Sequence, residues 1–178
     1  MRAQLNTRSE AVARAKRAAL SIVSNLVANL NDFNVTDARL MIIDGGLIGR
    51  LLTMLQSVEV EEQGAAIWAL ANLADEMTAE HDEVAIPRLV ELLESKGVKC
   101  ENVVEPSKVC YLAAWALSSL ASVDEESDTR RGTVGRIHAA TQDKHAALLE
   151  GWLTEVEAEG DRVEIQYLLN TLNAKKRR

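Results

Sequence analysis

Trp68-Ala69-Leu70-Ala71-Asn72-Leu73-Ala74 and Trp115-Ala116-Leu117-Ser118-Ser119-Leu120-Ala121 carry one pattern, with serine standing for Ala71 and Asn72 in the second passage. A weaker copy lies upstream, Ser21-Ile22-Val23-Ser24-Asn25-Leu26-Val27, and another downstream, Tyr167-Leu168-Leu169-Asn170-Thr171-Leu172-Asn173. With the last leucine as marker, Leu26, Leu73 and Leu120 are 47 residues apart and Leu172 follows after 52. That period falls at or just beyond the upper end of stacked helical repeats, roughly 40–47 residues. A unit that cannot bury its apolar face alone needs neighbours, so the copies predict a continuous stack.

A second element recurs between these copies. Leu47-Ile48-Gly49-Arg50-Leu51-Leu52-Thr53-Met54-Leu55 aligns with Ala85-Ile86-Pro87-Arg88-Leu89-Val90-Glu91-Leu92-Leu93, and Leu149-Glu150-Gly151-Trp152-Leu153 is a looser third version. Both element types space their apolar residues as helices do, so each unit reads as a helical hairpin. Thr7 and Glu10 have the spacing of a capping box, opening a helix whose stripe runs Val12, Ala19, Val23, Leu26 and Leu30. Gly45-Gly46 permits a sharp turn before Leu47, and Pro87 is expected near the start of its helix, where a missing N–H costs least. The predicted helices are 10–30, 36–43, 47–56, 60–74, 85–95, 107–121, 144–157 and 161–174. Leu51, Leu52, Leu55, Ile67, Leu70, Leu73, Leu89, Leu93, Leu117 and Leu120 are the expected core.

The expected organisation is a single all-α domain over 1–178, with repeats at 7–31 (partial), 34–75, 77–122 and 144–174. Two inserts break the period, at 96–106 and 122–143. The second, with Asp124, Glu125, Glu126, Asp128, Arg130, Arg131, Gly132 and Gly135, reads as an exposed, mobile and protease-sensitive loop, with room for a short helix around Arg136 to Ala140.

Composition narrows the function classes. Hydrophobic content is 47% but aromatic content only 3%, so the core is built from Ala, Leu and Val, which suits close helix packing. A net charge of −7 is not that of a general nucleic-acid binder, although both ends of the chain are basic, closing on Lys175-Lys176-Arg177-Arg178. That run reads as a targeting signal, a contact for an acidic partner, or a solvated helix end. Cys100 and Cys110 match neither a zinc nor a redox spacing, and no apolar run has the roughly 20 residues needed to span a bilayer. An intracellular, reducing location is expected, cytoplasmic or nuclear, with the Arg-rich N-terminus leaving a mitochondrial presequence as the minority reading. Gly45-Gly46-Leu47-Ile48-Gly49 lacks the strand and the Lys-Ser/Thr tail of a phosphate loop. His81, His138 and His145 are scattered, and no residue set suggests a nucleophile or a metal. The expectation is therefore a chain that is not an enzyme, with no catalytic residue, metal or cofactor.

The pattern resembles the armadillo repeat family, whose units read Gly-Gly-Ile-Pro-x-Leu-Val-x-Leu-Leu, a loop, then Ala-x-x-Ala-Leu-x-Asn-Leu-Ala. Residues 45–55 with 65–74 match it almost throughout, and 84–93 with 113–121 match it around an inserted loop. The resemblance implies a short right-handed α-solenoid of about three to four armadillo/HEAT-like repeats. Residues 61–74 are most similar to repeats of importin alpha. There, Trp and Asn one turn apart line a groove, the amide bonding an extended peptide's backbone and the rings packing along Lys and Arg stems. Carried over, Trp68 and Asn72 form one full pair, Trp115 keeps the ring with Ser119 at the amide position, and Asn25 keeps the amide. Glu76 and Asp124, at the ends of the Trp-bearing helices, are placed to meet basic groups.

Two readings of these residues stand beside each other. The tryptophans line a groove, or they fill space between neighbouring units. Asn72 binds a ligand, or it satisfies a neighbouring helical turn. The functional expectation is a protein–protein interaction module that holds an extended or helical partner segment, importin-like recognition of a Lys/Arg-rich peptide being the sharp form. The alternative is a non-catalytic architectural subunit of a large assembly. Neither nucleic acid nor membrane is expected as a partner.

Overall fold

The computed structural model describes residues 45–95, 99–100, 107–126, 132–156 and 159–174. The predicted helices 10–30 and 36–43, the partial repeat 7–31, Asn25, Arg130, Arg131 and the terminal basic run lie outside these residues.

Gly46 opens the first helix in the left-handed conformation, at φ 76°, where a side chain is strained. Helix α1 (Leu47–Leu55) follows and buries Ile48, Leu51, Leu52 and Leu55, the i, i+3, i+4, i+7 stripe of an amphipathic helix. Helix α2 (Val60–Asn72) is buried on nearly every side, through Gly64, Ala65, Ala66, Ile67, Ala69, Leu70 and Ala71. Its alanines allow close approach on both flanks. Gln63 is buried there too, and its side-chain amide donates to the Ser57 carbonyl at 2.5 Å, closing the turn between the two helices. A 3-10 turn (Ala74–Glu76) leads to α3 (Ala79–Leu92).

The start of α3 corrects the sequence reading. The helix begins at Ala79 instead of 85, so Pro87 stands in its interior. Its opening is fixed by a capping box in which the Thr78 hydroxyl accepts from the His81 N–H and the His81 ring accepts from the Thr78 N–H. Arg88, one residue beyond the proline, donates from Nε to the Leu55 carbonyl at 3.4 Å and so meets an end carbonyl of α1.

After α3 comes the first insert. Lys99–Cys100 (β1) pairs antiparallel with Ser107–Lys108 (β2), a ladder of two residues per strand that closes the base of the insert. The fold is otherwise helical among the described residues. Helix α4 (Val109–Glu126) lies at the centre, beside α2 on one flank and α7 (Glu159–Ala174) on the other. Helix α6 (Asp143–Glu155) pairs with α7 as α1 pairs with α2 and α3 with α4. One core runs through all of them, and each of the ten residues expected in it is buried there.

The second insert is also corrected. Residues 133–140 form a helix, α5 (Thr133–Ala140), which packs on α3 and α4 and buries Thr133 and Ile137. The short helix for which the sequence left room around Arg136 to Ala140 is present and starts earlier, at Thr133; the exposed-loop reading of 122–143 fails there, and α4 runs on through 126. Ile137 fills a place in the shared core. In chain order α5 precedes the α6–α7 pair, but it packs on α3 and α4.

Candidate functional site

Of the expected site residues, Trp68 and Asn72 lie on α2, Trp115 and Ser119 on α4, and Glu76 in the 3-10 turn after α2. Trp68 on α2 and Trp115 on α4 meet with ring centroids 4.5 Å apart and planes tilted by 51°. Each ring is half-buried and packs on the edge of the core. The two rings meet where α2 and α4 pack together and keep some exposed surface. The Trp68 Nε1 atom is buried and has no hydrogen-bond partner. Tyr167, at the matching position of α7, is half-buried as well.

Asn72 stands one turn below Trp68, and its Nδ2 donates to the Trp68 carbonyl at 2.9 Å. The same bond recurs on α7, where the Thr171 hydroxyl donates to the Tyr167 carbonyl at 3.1 Å. In both helices the polar residue satisfies the turn that carries the ring. Ser119 is half-buried at the corresponding position of α4, and Glu76 is half-buried in the 3-10 turn, where it is already engaged with other groups. Ser118, its neighbour, donates to Glu164 Oε2 at 2.5 Å and ties α4 to α7. The side chain of Asp124 lies outside the description.

The sequence did not single out a second polar cluster, at the junction of α3 and α6. Glu94, just past the end of α3, accepts from Lys144 Nζ at 2.6 Å and from His145 Nε2 at 3.1 Å. The buried His145 ring accepts the Gln142 N–H at Nδ1, at 2.9 Å, so its proton sits on Nε2, facing Glu94. The hydrogen bond from Lys144, then that from His145, holds the Glu94 carboxyl below its ordinary value. With Leu148 these residues line an open cleft of about 220 Å³. The signal was present in the sequence: His81 and His145 are 64 residues apart, the offset that aligns Ala85–Leu89 with Leu149–Leu153. Each histidine closes the capping box of its unit's helix.

Tyr111 and Trp152 meet edge-on at 5.4 Å, both buried, and belong to the core between α4 and α6. Cys110 is buried and in no disulfide. Among the described residues no group of three His, Cys, Asp or Glu side chains is placed to hold a metal ion, and no helix is long and apolar enough to cross a membrane.

The PBS lyase HEAT-like repeat family matches residues 62–95, which take in most of α2, the 3-10 turn and α3. The crystal structure of an engineered protein from a structural genomics consortium superposes with a TM-score of 0.59 at 24% identity, over 88% of this chain and 33% of that one. The chain is a helical-repeat solenoid. It spans about a third of the length of that engineered neighbour. A designed armadillo repeat protein gives a TM-score of 0.37 at 15% identity, over 88% of this solenoid and 93% of the designed chain, a likeness too distant to bear on the geometry. No curated protein matches the sequence.

Proposed function

We propose that this solenoid is a non-catalytic module that binds a partner polypeptide along the face where α2, α4 and α7 lie side by side. The observation that carries the reading is the pair of half-buried rings, Trp68 and Trp115, that meet at a tilt at the seam between two units. Tryptophan offers a large contact area with few rotatable bonds, which is why such rings anchor interfaces. The core already holds them in place, so little ordering remains to oppose binding.

The partner is an extended segment bearing Lys or Arg. Their aliphatic stems suit the ring faces, and their charges suit a chain of net charge −7. In this reading the rings contribute more than Asn72, whose Nδ2 is already bonded to Trp68. Contact of that amide with a peptide backbone would have to exchange one hydrogen bond for another, a small net gain.

The test is hydrogen exchange of the full chain with and without a Lys/Arg-rich peptide. Added protection over α2 and α4 is the expected result. Protection confined to α5 and α6, or none at saturating peptide, refutes the reading. A chain that is soluble only inside a larger assembly would favour the architectural subunit instead.

A further inference from the structure

We propose that α5 is a docked helix that opens as one unit from α3 and α4, and that the buried hydrogen bond between Thr133 and Asp82 is its latch. The helix has eight residues, enters through Gly132 at φ 74° and has no side-chain cap at its N-terminus. Thr133 and Ile137 are its buried residues, while Val134, Arg136, His138 and Ala140 are half-buried, Val134 and Ala140 against the core. Its ion pair to α3, Arg136 with Glu83, spans 3.6 Å at the surface. This is little buried apolar area to set against the entropy of ordering a whole helix. Segments with such a balance open below the cost of global unfolding.

The latch makes the opening reversible. Asp82 has 0% exposure, and Thr133 Oγ1 donates to its Oδ2 at 2.5 Å; the residue makes a further interaction besides, while Oδ1 is buried without a hydrogen-bond partner. A buried carboxylate has given up hydration, and it regains that hydration when α5 leaves. An apolar pair at the same place would lose its burial on opening and gain nothing in return. A polar latch therefore narrows the gap between the docked and open states. When α5 opens, it uncovers Asp82 and the surface of α3 and α4 beneath it, on the elements that join the second unit to the third.

Native-state hydrogen exchange by mass spectrometry on the full chain tests this without any ligand. In the wild type, the amides of 134–140 exchange through an opening that leaves 60–72 and 109–122 protected. Thr133→Val keeps the shape and removes the donor, and it raises exchange of α5 by roughly ten- to a hundredfold, the effect of leaving a buried acceptor unsatisfied. Thr133→Ser keeps the donor and holds exchange near the wild-type rate. If α5 exchanges only with global unfolding in the wild type, the proposal fails. It also fails if Thr133→Val leaves the rate unchanged, or if Thr133→Ser raises it as much as Thr133→Val does.

Discussion

Replacing Leu117 with Ala takes three carbons out of the centre of α4, the helix that touches α2, α3, α5 and α7. Leu117 has 0% exposure, so the lost transfer energy is felt in full. At about 0.8 kcal/mol per buried carbon the transfer loss is about 2.4 kcal/mol. The cavity left behind adds to it, and the measured range for such changes is about 2–5 kcal/mol. Because Leu117 sits fully buried in the shared core, collapse around it is limited, and a value of about 3–4 kcal/mol is expected. Urea unfolding followed by tryptophan fluorescence and by far-ultraviolet circular dichroism reads it out. One core shared by the units predicts that both probes shift to the same lower midpoint, with the slope unchanged. A loss below about 1 kcal/mol, or a fluorescence transition that separates from the helical one, would refute the single-core reasoning.

Two further outcomes follow from the geometry. The Glu94 carboxyl is held below its ordinary value by Lys144 and His145, so its stabilising effect is present above the unfolded-state value and is lost as pH falls through the lowered folded value. The melting-temperature difference between wild type and Glu94→Gln should accordingly be constant near neutrality and vanish in acid; a difference that persists or grows in acid contradicts this. Pro87 is exposed inside α3 and removes one helical hydrogen bond, so Pro87→Ala should raise stability, by up to about 3 kcal/mol in urea unfolding. No gain would mean the proline is accommodated without strain.

The stack was legible because its marks are local and repeated. Trp68 and Trp115, with the leucines that follow them, set the period, and the apolar spacing of α1 fixed which of its residues are buried. The same reading placed the ten core residues, since in a stacked hairpin the buried stripe faces the neighbouring copy. What escaped it depends on contacts distant in sequence or on an unfamiliar cap. Helix α5 hides among glycines and charges, and its reason for folding is Ile137 and Thr133 meeting the second unit, with Asp82 51 residues away from Thr133. The start of α3 was misplaced because Pro87 suggested a first turn, while the real signal was Thr78 with a histidine in the place usually held by Glu or Gln. The Glu94 cluster joins positions 94 and 145 across two units, which no local pattern shows. At the candidate site the sequence placed the ring pair on facing helices but left Asn72 open between two roles, and the structure gives its Nδ2 to the turn above.

The central claim is that the paired rings hold a partner segment. Fluorescence anisotropy with a labelled Lys/Arg-rich peptide, compared between wild type and Trp115→Ala at equal helicity, tests it most directly. Trp115 is half-buried, so helicity and melting temperature must be recorded on the same samples. An interface anchor of this kind is worth about 2 kcal/mol or more, and the account predicts binding at least tenfold weaker in the variant with its helices intact. Equal affinity in the two proteins, or no binding by the wild type, would contradict it.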